Sequence, residues 1–136
     1  MSFELREHTA DIAVEATGES LAAVFAAVAD GLAAAQCETV PETGDRFGFE
    51  ERAESREALL FDVLDRLIYE RDVRNVLPTD HEFSIDQRGD DWMAAGNARG
   101  VPLEAIAARE VKAVTYSEME LKETADGWYA YVVFDV

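Results

Sequence analysis

The sequence predicts an α+β fold, a single domain in which two main helices pack on a mostly antiparallel sheet. Two segments repeat apolar residues at three- and four-residue steps, which is the period of an amphipathic helix. Most of the remaining segments alternate apolar and polar residues, which is typical of strands with one covered face. At 136 residues the chain has the length of one domain, residues 1–136, and is too short for two full ones.

The first half of the chain is predicted to contain three strands and both main helices. The strands are Phe3–Glu7, Ile12–Ala16 and Asp45–Glu51. Ser20 and Ser55 each precede an amphipathic segment and suit the N-cap of a helix, because a serine oxygen can accept a hydrogen bond from the first turn. The first helix turns Leu21, Val24, Phe25, Val28 and Leu32 inward and has a mostly alanine outer face, and the second turns Leu59, Leu60, Val63, Leu64, Leu67 and Ile68 inward.

The second half is predicted to consist mostly of strands. Arg71–Asp80 contains Asn75 and Pro78 and is therefore expected to be a loop. The later elements are strands Glu82–Arg88 and Trp92–Asn97, a short helix at Leu103–Arg109, and a final hairpin of Lys112–Lys122 with Trp128–Asp135.

The formal net charge is −17, from 29 acidic and 12 basic residues. Carboxylates occur in nearly every segment, which favours a halophilic surface whose self-repulsion is screened by high salt. A basic partner or many cation sites would be the alternative explanation. Such a surface argues against direct nucleic-acid binding, which needs a basic footprint.

Several protein classes receive no support from the sequence. No apolar run approaches the ~18 residues of a membrane span, and the start of the chain lacks the features of a signal peptide. The single cysteine, Cys37, cannot form an internal disulfide, which agrees with a cytoplasmic protein. Two histidines make a soft-metal site improbable, and no Gly-rich phosphate loop, His-Glu-x-x-His or Cys-x-x-Cys motif occurs. Catalysis by this chain alone therefore has little support.

His8-Thr9-Ala10-Asp11 is a polar cluster between the first two predicted strands. Such a cluster marks a bulge or turn that can direct side chains to a functional site. Asp11 would suit a hard cation, because calcium and magnesium prefer oxygen ligands. A local Asx or Thr turn that satisfies its own backbone is the alternative.

Asp135 is a carboxylate inside an otherwise apolar final strand. Asp126-Gly127 is a strong hairpin signal, and with these two as the turn residues Asp135 would lie opposite Glu118. Two carboxylates side by side repel each other unless a cation or proton intervenes. Either Asp135 has such a partner, or it lies on an edge strand where both side chains are solvated.

Lys112 is one of only two lysines, whereas the other basic residues are arginines. In so lysine-poor a chain, it can supply a point charge that the planar guanidinium of arginine would not replace. The alternative is a lysine at a strand edge whose aliphatic stem covers apolar surface while its ammonium reaches water.

The chain resembles the archease family over nearly its whole length. The motifs that carry the resemblance are His8-Thr9-Ala10-Asp11, Val111-Lys112-Ala113-Val114-Thr115-Tyr116, and Gly127-Trp128 with Phe134-Asp135-Val136. The helix that contains Leu59-Leu60 also matches the family's central helix. Ser117 is a departure, since many members carry histidine there.

Archeases are small cytosolic partners of the GTP-dependent tRNA-splicing ligase of the RtcB type. The resemblance therefore implies a haloarchaeal-type archease that is not an enzyme but promotes guanylylation and multiple turnover of that ligase. It also implies a bound divalent cation, typically calcium, held by Asp11, Asp135 and the terminal carboxylate of Val136. Lys112 and His8 are the residues expected to act in activation of the partner.

Two other functions remain open. One is a chaperone or adaptor for a tRNA cytosine methyltransferase, an older proposal for the family. The other is a metal-dependent hydrolase that uses Asp11, Glu118 and Asp135. The residues and the resemblance agree on one geometric condition, which is that Asp11 and Asp135 could meet if the first and last strands are neighbours in a sheet.

Overall fold

The computed structural model describes residues 2–8 and 11–136, with side chains described for residues 3–5 and 11–136. In this part the chain forms seven strands and two α-helices, and every strand pair is antiparallel. The predicted α+β fold class is confirmed. The elements are β1 (Ser2–His8), β2 (Asp11–Gly18), α1 (Leu21–Gln36), β3 (Asp45–Ala53), α2 (Arg56–Arg74), β4 (Val76–Arg88), β5 (Asp91–Pro102), a 3₁₀ turn at Leu103–Ala105 in place of the longer helix expected there, β6 (Ala113–Thr124) and β7 (Gly127–Asp135).

The described strands form two sheets, and both helices lie between them. One sheet has the order β1-β2-β7-β6 and the other the order β3-β5-β4. Helix α1 packs on β2 of the first sheet and β4 of the second, and α2 packs on β6 and β3 in the same way. The main core cluster draws residues from both helices and both sheets. Neither described helix is long and apolar enough to cross a membrane.

Helix α1 is buried on nearly every side because a sheet covers it on each of two faces. The Oγ of Ser20 accepts a hydrogen bond of 3.1 Å from the Ala23 N–H, which confirms the predicted cap. The alanine face, expected to point outward, is buried instead, and Ala27 and Ala29 are at most 1% exposed. Small side chains on that face let the second sheet approach the helix closely.

Helix α2 is longer than predicted, and the prediction of a loop at Arg71–Asp80 is wrong. The helix begins after the predicted cap Ser55 and continues to Arg74. Asn75 ends it with a left-handed φ of 56°, a conformation that asparagine tolerates, and β4 starts at the next residue. Pro78 is tolerated within β4 because β4 lies at the edge of its sheet.

The hairpin between β6 and β7 turns one residue earlier than predicted. Its turn residues are Ala125 and Asp126, and Thr124 pairs with Gly127. Gly127 has a φ of 148°, and a Cβ on it would overlap the carbonyl oxygen of Gly18. The hairpin therefore rests directly on the main chain that links β2 to α1, and this contact requires glycine.

Strand β6 also contains a bulge that changes its register against β7. Across residues 116–119, β6 has three more residues than β7, and within the bulge Glu118 adopts a left-handed φ of 58°. Asp135 consequently lies opposite Ala113, so the expected pairing of Asp135 with Glu118 is wrong. Counting back from the turn by strict alternation fails here because the inserted residues have no partners on β7.

We expect Gly127→Ala to lower the free energy of unfolding by about 2–4 kcal/mol, because the new methyl group meets the Gly18 carbonyl and the backbone is left in a strained conformation. Denaturant titration at constant high salt measures this. Gly89→Ala is the matched control, since Gly89 also has a positive φ of 65° but a Cβ there meets nothing within 4 Å. The control should lose only about 1 kcal/mol. Equal losses would show that the contact with Gly18 is unimportant.

Candidate functional site

Asp11 and Asp135 lie directly opposite each other on the neighbouring strands β2 and β7. The two strands pair without a register shift along the whole of β2. Val14 and Val132 are opposite each other and buried in the core below the sheet. A one-residue slip would move both to the other face, so their burial fixes the register. The same alternation places the two aspartates on the face that points away from the helices.

The two carboxylates differ in their exposure. Asp135 is exposed, whereas Asp11 is partly buried, and its Oδ1 is buried without a hydrogen-bond partner in the described structure. Residues directly opposite on adjacent strands have Cβ atoms about 4.5–5.5 Å apart, and like charges there repel. A buried oxygen without a partner adds the cost of lost hydration. A cation between Asp11 and Asp135 would remove both penalties, so these residues fit a hard-cation site.

Two carboxylates do not complete a metal site. Among the side chains that the structure describes, those of residues 3–5 and 11–136, no three from His, Cys, Asp or Glu are grouped so that they could hold a metal ion. Val136, the third predicted ligand, follows Asp135 directly, and its side chain packs against the main core. The side chain of His8, together with Thr9 and Ala10, lies outside the described residues.

Lys112 lies at the same end of the sheet. It immediately precedes β6, it is exposed, and its main-chain N–H donates a hydrogen bond of 2.8 Å to the carbonyl oxygen of Asp135. On the other side of the aspartate pair, the main chain of His8 in β1 is the cross-strand partner of Asp11. The fold thus brings together three predicted site residues, Asp11, Asp135 and Lys112, from distant parts of the sequence.

Arg71, expected in a loop, is a buried residue of α2 that contacts this end of the sheet. It is 6% exposed, and its Nη1 donates to the carbonyl oxygen of Val111 at 2.7 Å and to Oε1 of Gln36 at 2.9 Å. The sequence did not lead us to predict a buried polar contact between Arg71 and Gln36. For Arg71 a signal existed, because Leu64 and Leu67 precede it by seven and four residues, so the buried helical stripe continues through it.

The sheet face that carries Asp11 and Asp135 also has charged side chains at its opposite end, and these are paired. The hydroxyl of Tyr129 donates to Oε2 of Glu15 at 2.8 Å. Lys122 lies over the ring of Tyr129, 5.1 Å from its centre, and forms a 3.3 Å ion pair with Glu120. Burial, followed by the hydrogen bond to Glu15 and its negative charge, raises the pKa of Tyr129 to about 12. These side chains already have charge partners, whereas Oδ1 of Asp11 at the other end has no hydrogen-bond partner among the described residues.

The chain matches the model of the archease protein family over residues 3–136. It is 32% identical over 139 residues to the archease of Pyrococcus furiosus, with 98% of each chain covered. It is also 32% identical over 149 residues to the archease of Methanosarcina acetivorans, with 98% of this chain and 95% of the relative covered.

Solved structures show the same arrangement of elements. The solution structure of protein 1598 from Methanobacterium thermoautotrophicum has a TM-score of 0.86 at 30% identity, with 98% of each chain covered. The crystal structure of an archease from Thermotoga maritima, called a possible chaperone, has a TM-score of 0.64 at 23% identity and covers 98% of this chain and 96% of that one. At that identity, the second likeness supports the fold alone.

We expect Tyr129 to make the folded state lose stability between about pH 10 and pH 12. In the unfolded chain this tyrosine ionises near its ordinary pKa of 10, whereas the folded one keeps its proton until about pH 12. Over this window the unfolded state binds fewer protons, so rising pH favours unfolding, while below the window the contribution is fully present. Melting temperatures of wild type and Tyr129→Phe, compared across the window at constant high salt, measure it. The variant should show the shallower decline, and identical declines would contradict the assignment.

Proposed function

Because this chain belongs to the archease family, we propose that it activates a GTP-dependent tRNA-splicing ligase of the RtcB type in the cytoplasm and is not itself the enzyme. The observation that carries the proposal is the meeting of Asp11, Asp135 and Lys112 at one end of the β1-β2-β7-β6 sheet. These are residues to which the sequence resemblance assigns cation binding and activation. The match with the relatives over nearly their full length supports membership of the family, on which the proposal rests.

The proposed activity is promotion of guanylylation of the ligase, which then completes several turnovers. Lys112 would contribute an exposed positive charge at the ligase, and the resemblance adds His8 as a second residue acting there. The RNA would be bound by the ligase alone, because a chain with a net charge of −17 repels a phosphate backbone.

A divalent cation, which we propose to be calcium, would be held between the carboxylates of Asp11 and Asp135. Oδ1 of Asp11 supports this assignment, because it is buried and has no hydrogen-bond partner in the part of the chain that the structure describes. Calcium takes about 6–8 oxygen ligands, so the carboxylate of Val136, main-chain carbonyls, water or the ligase would complete its shell. When bound, the cation supplies a positive charge that neutralises the two aspartates and attracts an anionic group of the partner.

A chaperone function toward a tRNA cytosine methyltransferase is the second candidate. It rests on the family resemblance, because this role is an older proposal for archeases. The two candidates differ in the partner that responds, so each purified partner enzyme can be tested separately with the same preparation of this protein.

Calorimetric titration with calcium chloride in molar potassium chloride should show a calcium site in the wild type. The salt is required because it suppresses weak cation binding by the rest of the acidic surface. Asp11→Asn and Asp135→Asn preserve side-chain size and remove one charge each, and we expect each to weaken binding at least about tenfold, or ~1.4 kcal/mol.

Asp126→Asn is the matched control for that titration. Asp126 lies in the hairpin turn at the opposite end of β7, so this variant removes the same charge without touching the proposed ligands. It should bind calcium as the wild type does. The proposed site is refuted if the wild type, both site variants and the control bind equally.

With the cognate ligase, GTP and a divalent metal, the wild type should increase covalent guanylate on the ligase and the number of turnovers. Lys112→Ala should reduce this stimulation by about one to two decades, because losing a charge-assisted contact costs roughly 1.5–3 kcal/mol. Thermal melting should be nearly unchanged, since Lys112 is exposed.

Lys122→Ala is the control, because Lys122 is the only other lysine and lies beside Tyr129 at the far end of the sheet face. It should stimulate the ligase fully. Full stimulation by Lys112→Ala would remove the role of that lysine. No stimulation by the wild type, combined with stimulation of a purified tRNA cytosine methyltransferase, would replace the ligase proposal with the chaperone one.

A further inference from the structure

The buried guanidinium of Arg71 holds one peptide unit from the side of α2. Its Nη1 donates a 2.7 Å hydrogen bond to the carbonyl oxygen of Val111. The N–H of Lys112 belongs to the same peptide unit, and it donates at 2.8 Å to the carbonyl oxygen of Asp135 in β7. A peptide unit is planar and rigid, so fixing its oxygen from one side and its nitrogen from the other fixes its orientation.

Other contacts hold the guanidinium and the segment that leads into β6. Oε1 of Gln36 accepts from Nη1 of Arg71, and Nε2 of Gln36 donates to the carbonyl oxygen of Leu32 at 3.2 Å, which orients the amide. Nε of Arg71 donates to Asp72 at 3.0 Å. The main-chain carbonyl of Gln36 accepts from the N–H of Arg109 at 2.6 Å. The segment is thereby tied to the end of α1 as well as to α2.

Stability alone does not explain an arginine at this position. Burying a charge is costly, and well-packed apolar residues in place of a buried charged group are often as stable or more so. Arg71 continues the apolar stripe of Leu64 and Leu67 on the buried face of α2, where a leucine or methionine would fit the pattern. What arginine adds is a rigid, planar set of donors on three nitrogens that can reach acceptors lying apart, whereas the donors of lysine all lie on one nitrogen.

We propose that Arg71 is a positioning residue for activation of the ligase. By clamping the Val111–Lys112 peptide, it sets the direction in which the side chain of Lys112 leaves the main chain and fixes Lys112 relative to Asp135. The inference rests on the proposed function, in which Lys112 acts on the partner. Because Arg71 is only 6% exposed, it would act through the Val111–Lys112 peptide and not by touching the ligase.

The first test is hydrogen exchange at the Lys112 amide, which needs no ligase. Arg71→Met keeps the apolar stem and removes the donors, and it should speed exchange at Lys112 roughly tenfold relative to the amide of Val132 in the middle of β7. Arg66→Met is the matched control, because Arg66 is on the same helix but donates to Glu51 in β3, which belongs to the other sheet. It should leave the exchange ratio unchanged. An unchanged ratio in Arg71→Met would overturn the proposal.

The second test is a double-mutant cycle measured by ligase stimulation. If Arg71 acts through Lys112, Arg71→Met should lower stimulation about tenfold in the wild-type background but less than about twofold in Lys112→Ala, where the lysine's contribution is already absent. A merely structural role would lower both backgrounds equally, and that result would overturn the proposal. Arg71→Lys, which retains the charge but not the planar donors, provides the same comparison if Arg71→Met does not fold.

Failure of the proposed function gives a different pattern from failure of this inference. No stimulation by the wild type would remove the function, whereas the exchange ratio would still show whether Arg71 fixes the Val111–Lys112 peptide. Normal stimulation by the wild type with additive losses in the cycle would leave the function intact and remove the positioning role of Arg71.

Discussion

The unbroken pairing of β2 with β7 is the constraint on which the rest of the site depends. Because β7 has β2 on one edge and β6 on the other, the strand end at Asp135 meets the first residues of both neighbours. Buried pairs such as Val14 with Val132 hold the register, since a slip would expose them. The same register forces Asp11 to face Asp135. Apolar packing on one face therefore stabilises a repulsive arrangement on the other that the chain would otherwise avoid.

The burial of one oxygen of Asp11, more than total charge, distinguishes this acidic pair from the rest of an acidic surface. Exposed carboxylates are screened beyond a Debye length of about 8–10 Å, and salt weakens their hold on cations further. The Oδ1 of Asp11 is buried, so water and dissolved ions screen it much less. A net charge of −17 spread over many segments thus does not by itself account for a specific site. Selectivity for one divalent ion requires the local geometry of opposed and partly buried oxygens.

Local features were predictable from sequence because their partners lie a few residues apart, as with the hydroxyl of Ser20 at the start of α1. The meeting of Asp11 with Asp135 was predictable only as a condition, and that condition named the first strand, whereas β2, the second strand, pairs with β7. The register of β6 was not predictable, because Val114 and Leu121 are both buried although strict alternation places residues seven apart on opposite faces. The unpaired residues of the bulge shift the alternation of β6, and Val114 and Leu121 therefore both face the core. The burial of Arg71 was not predicted because the residues that follow it are typical of a loop. The last turn of α2 was therefore expected to be part of that loop.

A fixed main chain combined with a long side chain suits Lys112 to acting on a partner. With its peptide held by α2 and β7, docking must order only the side chain, at a cost of about 0.5–1.5 kcal/mol, and not a whole loop. Asp11 and Asp135 stand beside it, so one end of the sheet presents charges of both signs. In the proposed complex, calcium neutralises the two aspartates, so Lys112 and the ion would both face an anionic group of the ligase. A uniformly acidic patch would instead attract any basic protein. The proposed site would therefore disfavour other proteins, because mismatched charges at an interface suppress wrong partners.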